Sequence, residues 1–97
     1  MNSENRFGKR EFEIKPKLMK KLIKISKRDN KTYDNILSKI QEIISSSNIE
    51  HYKNLRYNMK DSKRVHLGHF VLVFSFDKSN NFVYFEDYEH HDNIYNK

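Results

Sequence analysis

A change of hydrophobic period divides this chain. Between Leu18 and Ile44 apolar residues recur at spacings of three and four, which gathers them on one face of an α-helix; from Ser62 onward they alternate or run together, as in β-strands. Leu18, Met19, Leu22, Ile23 and Ile25 are interleaved with Lys17, Lys20, Lys21, Lys24 and Lys27. Pro16 suits the first turn of that helix, where its missing N–H has no helical partner, and the helix should stop near Arg28-Asp29-Asn30. Tyr33, Ile36, Leu37, Ile40, Ile43 and Ile44 mark a second helix, with Thr32 as its N-cap and Ser45-Ser46-Ser47-Asn48 ending it. Two amphipathic helices with so short a connection predict a hairpin with one shared apolar face.

Phe12-Glu13-Ile14 alternates and reads as a short first strand. After the helices comes a mixed polar stretch, Glu50 to Asp61, with Leu55 and Met59 as anchors. Lys63 to Leu67 reads as a strand, Gly68 as a turn or bulge, and His69 to Phe76 as a strongly β-prone run. Asp77 to Asn81 is a hairpin loop, because Asn tolerates positive φ, and Phe82 to Tyr88 pairs back. The tail, Glu89 to Tyr95, then leaves the sheet, and Met1 to Gly8 is a polar, poorly ordered terminus. The order is strand, helix, helix, then three or more strands. That is an α+β class chain: an N-terminal strand, a helical hairpin, then an antiparallel sheet with the helices on one face. With 97 residues, 36% of them hydrophobic, the chain can fill one core, so residues 1–97 are a single domain.

The net charge of +6 is unevenly spread: residues 1–65 carry nearly all the Lys and Arg, and His66 to Lys97 is net acidic. Such a basic excess attracts polyanions or an acidic protein partner, and serves equally as a solubilising face. The absence of cysteine excludes disulfides, thiolate zinc sites and Cys nucleophiles. No apolar stretch approaches the ~20 residues that span a bilayer, and the N-terminus has no apolar signal region, so a cytoplasmic protein is expected.

Three groups of residues are suited to chemistry. In Lys60-Asp61-Ser62-Lys63-Arg64-Val65-His66, strand alternation sets Arg64 and His66 on one face and Val65 and Leu67 on the other. A histidine flanked by cations on the open face of a sheet suits proton transfer beside a phosphate, or is a solvated edge with surface charge. In His90-His91-Asp92, three consecutive residues converge poorly on one ion, so no metal site or cofactor is expected. His91 and Tyr95 align if the tail makes a helical turn, bringing an imidazole and a phenol together; otherwise Ile94 and Tyr95 pack the tail on the sheet. Among the aromatics, Tyr57, Tyr88 and Tyr95 are the candidates for stacking on bases. Glycine-rich phosphate loops and serine-nucleophile motifs are missing.

The stretch from Lys63 to Phe74, a hairpin, and Asp87 to Tyr95 together resemble the RelE superfamily of type II toxins, and the element order from Phe12 to Tyr88 is similar to that family's, a sheet like that of microbial ribonucleases. The resemblance implies a toxin that cuts mRNA in the ribosome by attack of a ribose 2′-hydroxyl on the adjacent phosphate, without a metal. It implies a cognate antitoxin as partner, in a heterotetramer with it, and no membrane. Within the YafQ-like branch, His66 matches a strand histidine, His69 falls where an acid stands, Phe70 falls on an aromatic position, His91 matches a C-terminal histidine and Tyr95 the terminal aromatic. Lys60, Lys63 and Arg64 occupy the region of phosphate-binding cations. Many members carry Arg where this chain has Val71, so the phosphate clamp must come from Lys63, Arg64 or Arg56. The same fold also accommodates a ParE-like inhibitor that contacts gyrase without nuclease chemistry, or an inactive form that retains only antitoxin binding.

Overall fold

The structure, a computed structural model, describes residues 10–47, 49 and 62–95. In chain order these form β1 (Glu11–Ile14), α1 (Pro16–Arg28), α2 (Asn30–Ser45), β2 (Ser62–Leu67), β3 (Phe70–Asp77), β4 (Phe82–His90) and α3 (His91–Tyr95). The strands build one sheet in the order β1-β4-β3-β2. β2, β3 and β4 form the expected antiparallel meander, whereas β1 lies parallel to β4, with Ile14 beside Phe85. Parallel neighbours cannot be joined by a tight turn, and here the helical hairpin and two strands intervene.

Pro16 opens α1 as expected. The cap of α2 is Asp29 rather than Thr32: the Asp29 carboxylate accepts from the Thr32 backbone N–H at 3.1 Å and from its hydroxyl at 2.6 Å. Asp29 also ends α1, donating its own N–H to the Ile25 carbonyl at 2.8 Å, so one residue of non-helical backbone makes the whole connection. The bonds from Thr32 hold the Asp29 carboxyl below the usual carboxylate range.

Leu18 and Leu22 of α1 and Ile36, Ile40, Ile43 and Ile44 of α2 pack on Leu72, Phe74, Val83, Phe85 and Tyr88 of the sheet, with Val65 and Leu67 at the margin. Alternation along β4 breaks once. Val73 faces Asp87 but Phe74 faces Phe85, so Glu86 is an extra residue. This bulge makes Tyr88, not Asp87, continue the core row begun by Val83 and Phe85, and Tyr88 is 7% exposed. The Tyr88 ring is therefore core rather than a surface for bases. The β3–β4 turn has Asn81 at φ 54°, as its residue type predicts, and the β2–β3 turn has Gly68 at φ 65°. β4 runs two residues further than its sequence suggests, because His90 and Glu89 pair with Phe70 and Val71; the tail leaves the sheet only at His91.

β1 covers β4 only as far as Phe85, and α1 closes the rim beyond. Lys21 Nζ donates to Asp87 Oδ1 at 2.7 Å, Glu89 Oε2 at 2.8 Å and the Tyr88 carbonyl at 2.9 Å, and Lys17 reaches Asp87 at 3.1 Å. Burial opposes charge on Lys21, but its bonds to the two carboxylates outweigh that and raise its pKa above the ordinary lysine value. Burial likewise opposes charge on Asp87, and Lys21, the Tyr88 N–H and Lys17 outweigh it and lower its pKa.

Candidate active site

On β2 the side chains divide as alternation requires. Val65 and Leu67 turn toward the helix-side core, and Arg64 and His66 to the opposite face. His66 is exposed and sits across the ladder from Val71, which is fully buried. At the end of β4 the backbone turns directly into α3, and the His91 N–H donates to the His69 carbonyl at 2.8 Å. That turn brings the His91 ring to 5.5 Å from the His66 ring, centroid to centroid, at an interplanar angle of 32°.

Arg64 Nη1 lies 3.2 Å from His66 Nε2. A guanidinium has donors and no acceptor, so Nε2 accepts this bond and, in the neutral ring, the proton sits on Nδ1. His91 Nδ1 lies 3.5 Å from Asp92 Oδ1, at the outer limit of a hydrogen bond, with the carboxylate as acceptor. A cation, a histidine with an acceptor nitrogen and a second histidine beside a carboxylate thus come together at one end of the sheet.

The sequence-nominated residues distribute unevenly around this cluster. Arg64, His66 and His91 come together. Lys63 does not: alternation turns it away from Arg64, and it is 6% exposed. His69 occupies the β2–β3 turn, its backbone anchors His91, and its ring stacks on His90 at 6.3 Å rather than joining the His66–His91 pair. Arg56, Lys60 and Tyr57 lie outside the described residues, as does the side chain of Tyr95; the backbone of His91 to Tyr95 is the helical turn their spacing requires. Among the described residues no group of His, Asp or Glu is arranged to hold a metal ion, and none of the helices is long and apolar enough to cross a membrane.

Phe70 and His90, both singled out in the sequence, meet at this end of the sheet. Phe70 stacks on Tyr88 at 4.9 Å yet remains 38% exposed, and His90 meets its edge at 5.4 Å. The pairing of His90 with Phe70 depends on the bulge at Glu86, for which the sequence offers no signal.

No protein-family model matches the chain. The chain is 53% identical over 88 residues to a protein of Methanocaldococcus jannaschii provisionally designated toxin RelE4, an alignment that covers 90% of this chain and 92% of the relative. It is 45% identical over 85 residues to an uncharacterized protein of Methanosarcina mazei, covering 87% and 96%. Among solved structures, the isolated RelE toxin of E. coli superposes with a TM-score of 0.66 at 19% identity, over 84% of this chain and 83% of that one. The RelBE2 toxin–antitoxin complex of Mycobacterium tuberculosis contains a chain that superposes with a TM-score of 0.61 at 13% identity, over 84% and 98%.

Proposed function

This chain belongs to the RelE toxin family, and from that premise we propose that it is the toxin of a toxin–antitoxin pair, acting in the cytoplasm as a metal-independent, ribosome-dependent mRNA endonuclease. The observation that carries this reading is the pairing of His66 with His91 beside Arg64, from segments far apart in sequence. Transesterification by a 2′-hydroxyl needs a base for the attacking oxygen, an acid for the leaving 5′-oxygen, and a cation for the charge that builds on the phosphate. Two imidazoles open to one side of the sheet can reach oxygens of a single phosphodiester.

The hydrogen bonds support one division of roles. His66 Nε2 carries the lone pair, now occupied by Arg64. When a phosphate takes the Arg64 guanidinium, that nitrogen is released to accept the 2′-hydroxyl proton, so His66 acts as the base. His91, oriented through Nδ1 by Asp92, delivers its proton to the 5′-oxygen. The products are a 2′,3′-cyclic phosphate and a 5′-hydroxyl, with one proton taken and one given. Val71 lies buried beneath this face, so Arg64 supplies the clamp that relatives draw from an arginine at that position. Lys60, Arg56 and the Tyr95 ring are further contacts to RNA, and His69 contributes by fixing His91 through its carbonyl.

The partner is an antitoxin with an acidic amphipathic segment. Such a segment suits α1, where Met19 and Ile23 stand half-exposed among Lys20, Lys24 and Lys27. The test is cell-free translation with the purified protein and mapping of mRNA 5′ ends, with and without ribosomes. Ribosome-dependent cuts that disappear in His66→Ala and His91→Ala are expected. Intact mRNA under conditions where the folded protein blocks growth would refute the nuclease and direct attention to gyrase.

A further inference from the structure

At the end of the sheet near the α1–α2 connection, a groove of about 550 Å³ opens on the helix side, away from the His66–His91 pair. Ile25, Leu67, Phe70 and Tyr88 give it apolar walls, and Lys24 and Arg28 line its helical side. Four large hydrophobic residues are substantially exposed among the described residues, Phe12, Met19, Ile23 and Phe70, and Phe70 is the one that lines this groove.

The charges of the groove sort into committed and spare. Lys21 is held by Asp87 and Glu89, and the Asp29 carboxylate is occupied by Thr32. Lys24 and Arg28 have no ion-pair partner among the described residues. An exposed aromatic ring and two spare cations lining one groove match the two parts of an unpaired nucleotide, a flat base and an anionic phosphate.

The groove lies at the same end of the sheet as the candidate active site. Phe70 lies directly across the ladder from His90, and His90 immediately precedes His91. The two sites thus occupy opposite faces of one sheet end, separated by the Gly68-His69 turn. A strand whose scissile phosphate lies at His66 and His91 can pass around that turn and present a neighbouring nucleotide to Phe70.

We propose that this groove is a second RNA-binding subsite, in which an unpaired base stacks on Phe70 and its phosphate is bound by Lys24 and Arg28. The assignment of that nucleotide as a neighbour of the scissile phosphate rests on the nuclease reading above; binding itself does not.

The probe is a fluorescein-labelled 2′-O-methyl hexaribonucleotide, which lacks the attacking hydroxyl and is not cut, titrated by fluorescence anisotropy against the full chain. Phe70→Leu keeps apolar surface but removes the ring and should weaken binding about tenfold, within the range that base–aromatic stacking supplies. It should have no effect on binding of the matching abasic backbone. Arg28→Gln should weaken both and reduce the slope of log affinity against log salt by about 0.7, one single-strand phosphate contact. Circular dichroism checks that each variant is folded. Wild-type affinity in both folded variants would overturn the subsite. So would Phe70- and Arg28-dependent binding of an acidic leucine–glutamate helix with no such dependence for the oligonucleotide, since the groove would then receive a protein partner. If the wild-type protein cuts no mRNA but Phe70-dependent binding persists, the nuclease reading fails and the subsite stands.

Discussion

Replacing Asp87 with Asn tests whether the ion cluster at the rim of β4 holds the sheet to α1. The Asp87 side chain is only 12% exposed and takes up Lys21 at 2.7 Å, Lys17 at 3.1 Å and the Tyr88 N–H at 2.8 Å. Breaking a fully buried pair costs about 3–5 kcal/mol. Here Lys21 keeps Glu89 and the Tyr88 carbonyl, and Asn can still accept from the Tyr88 N–H, so the loss is roughly that of one charge-assisted bond, about 2 kcal/mol. In a domain of this size that lowers Tm by about 8–16 °C. Urea and thermal denaturation followed by circular dichroism measure it. The pH dependence supplies an independent check. Folding depresses the Asp87 pKa, so its contribution is present above the unfolded carboxylate pKa, about 3.9, and disappears as pH falls through the lower folded value. Wild type and Asp87→Asn should therefore converge in strong acid. Lys21 behaves oppositely: its folded pKa is raised, so its contribution is complete below about 10.4 and is lost as pH rises through the folded value. A loss below about 0.5 kcal/mol, the range of ordinary surface substitutions, or a difference that persists unchanged at pH 2, would refute the argument.

Other expectations concern the core, the turn and the clamp. Phe74→Ala removes a fully buried ring at the centre of β3 and should cost about 4 kcal/mol by denaturant titration, leaving little folded protein. Gly68→Ala meets no atom within 4 Å, so its cost is backbone alone at φ +65°, about 1 kcal/mol and a few degrees in Tm. Arg64→Gln should leave Tm near wild type while lowering mRNA cleavage about a hundredfold, the scale of losing one charge-stabilising donor, and 5′-end mapping in a translation extract reads it.

Much of the fold is legible because period and burial agree. The apolar faces of both helices reach the core as their spacing requires, Leu18 with Leu22 and Ile36 with Ile40, Ile43 and Ile44. Asn81 takes the positive φ expected of its type. What the sequence misplaces depends on long-range partners. Thr32 and Asp29 are both good caps, and the choice falls to Asp29 because it must also terminate α1. The parallel pairing of β1 has no local signature, since Phe12-Glu13-Ile14 would alternate identically beside any neighbour.

The site shows the same division, and its hidden half has a specific cause. Arg64 and His66 are legible from strand alternation, which also turns Lys63 away from them. The place of His91 depends on where β4 stops, and Glu89 and His90 are weak strand formers that read as the start of a tail. In the fold Glu89 is held by Lys21, a residue 68 positions earlier, and the bond lowers its pKa. With that charge neutralised, β4 extends to His90, Phe70 pairs with His90, and His91 becomes the first residue past the sheet, hung from the His69 carbonyl opposite His66. A lysine of α1 is thus tied to the last rungs of β4, two residues before the second imidazole. It follows that Lys21→Met should lower cleavage although Lys21 belongs to α1 and bonds at the β4 rim, across the sheet from His66 on β2. A parallel loss in Glu89→Gln, with Tm only modestly reduced in both, would identify the effect as positioning, and full activity in a folded Lys21→Met protein would break the link.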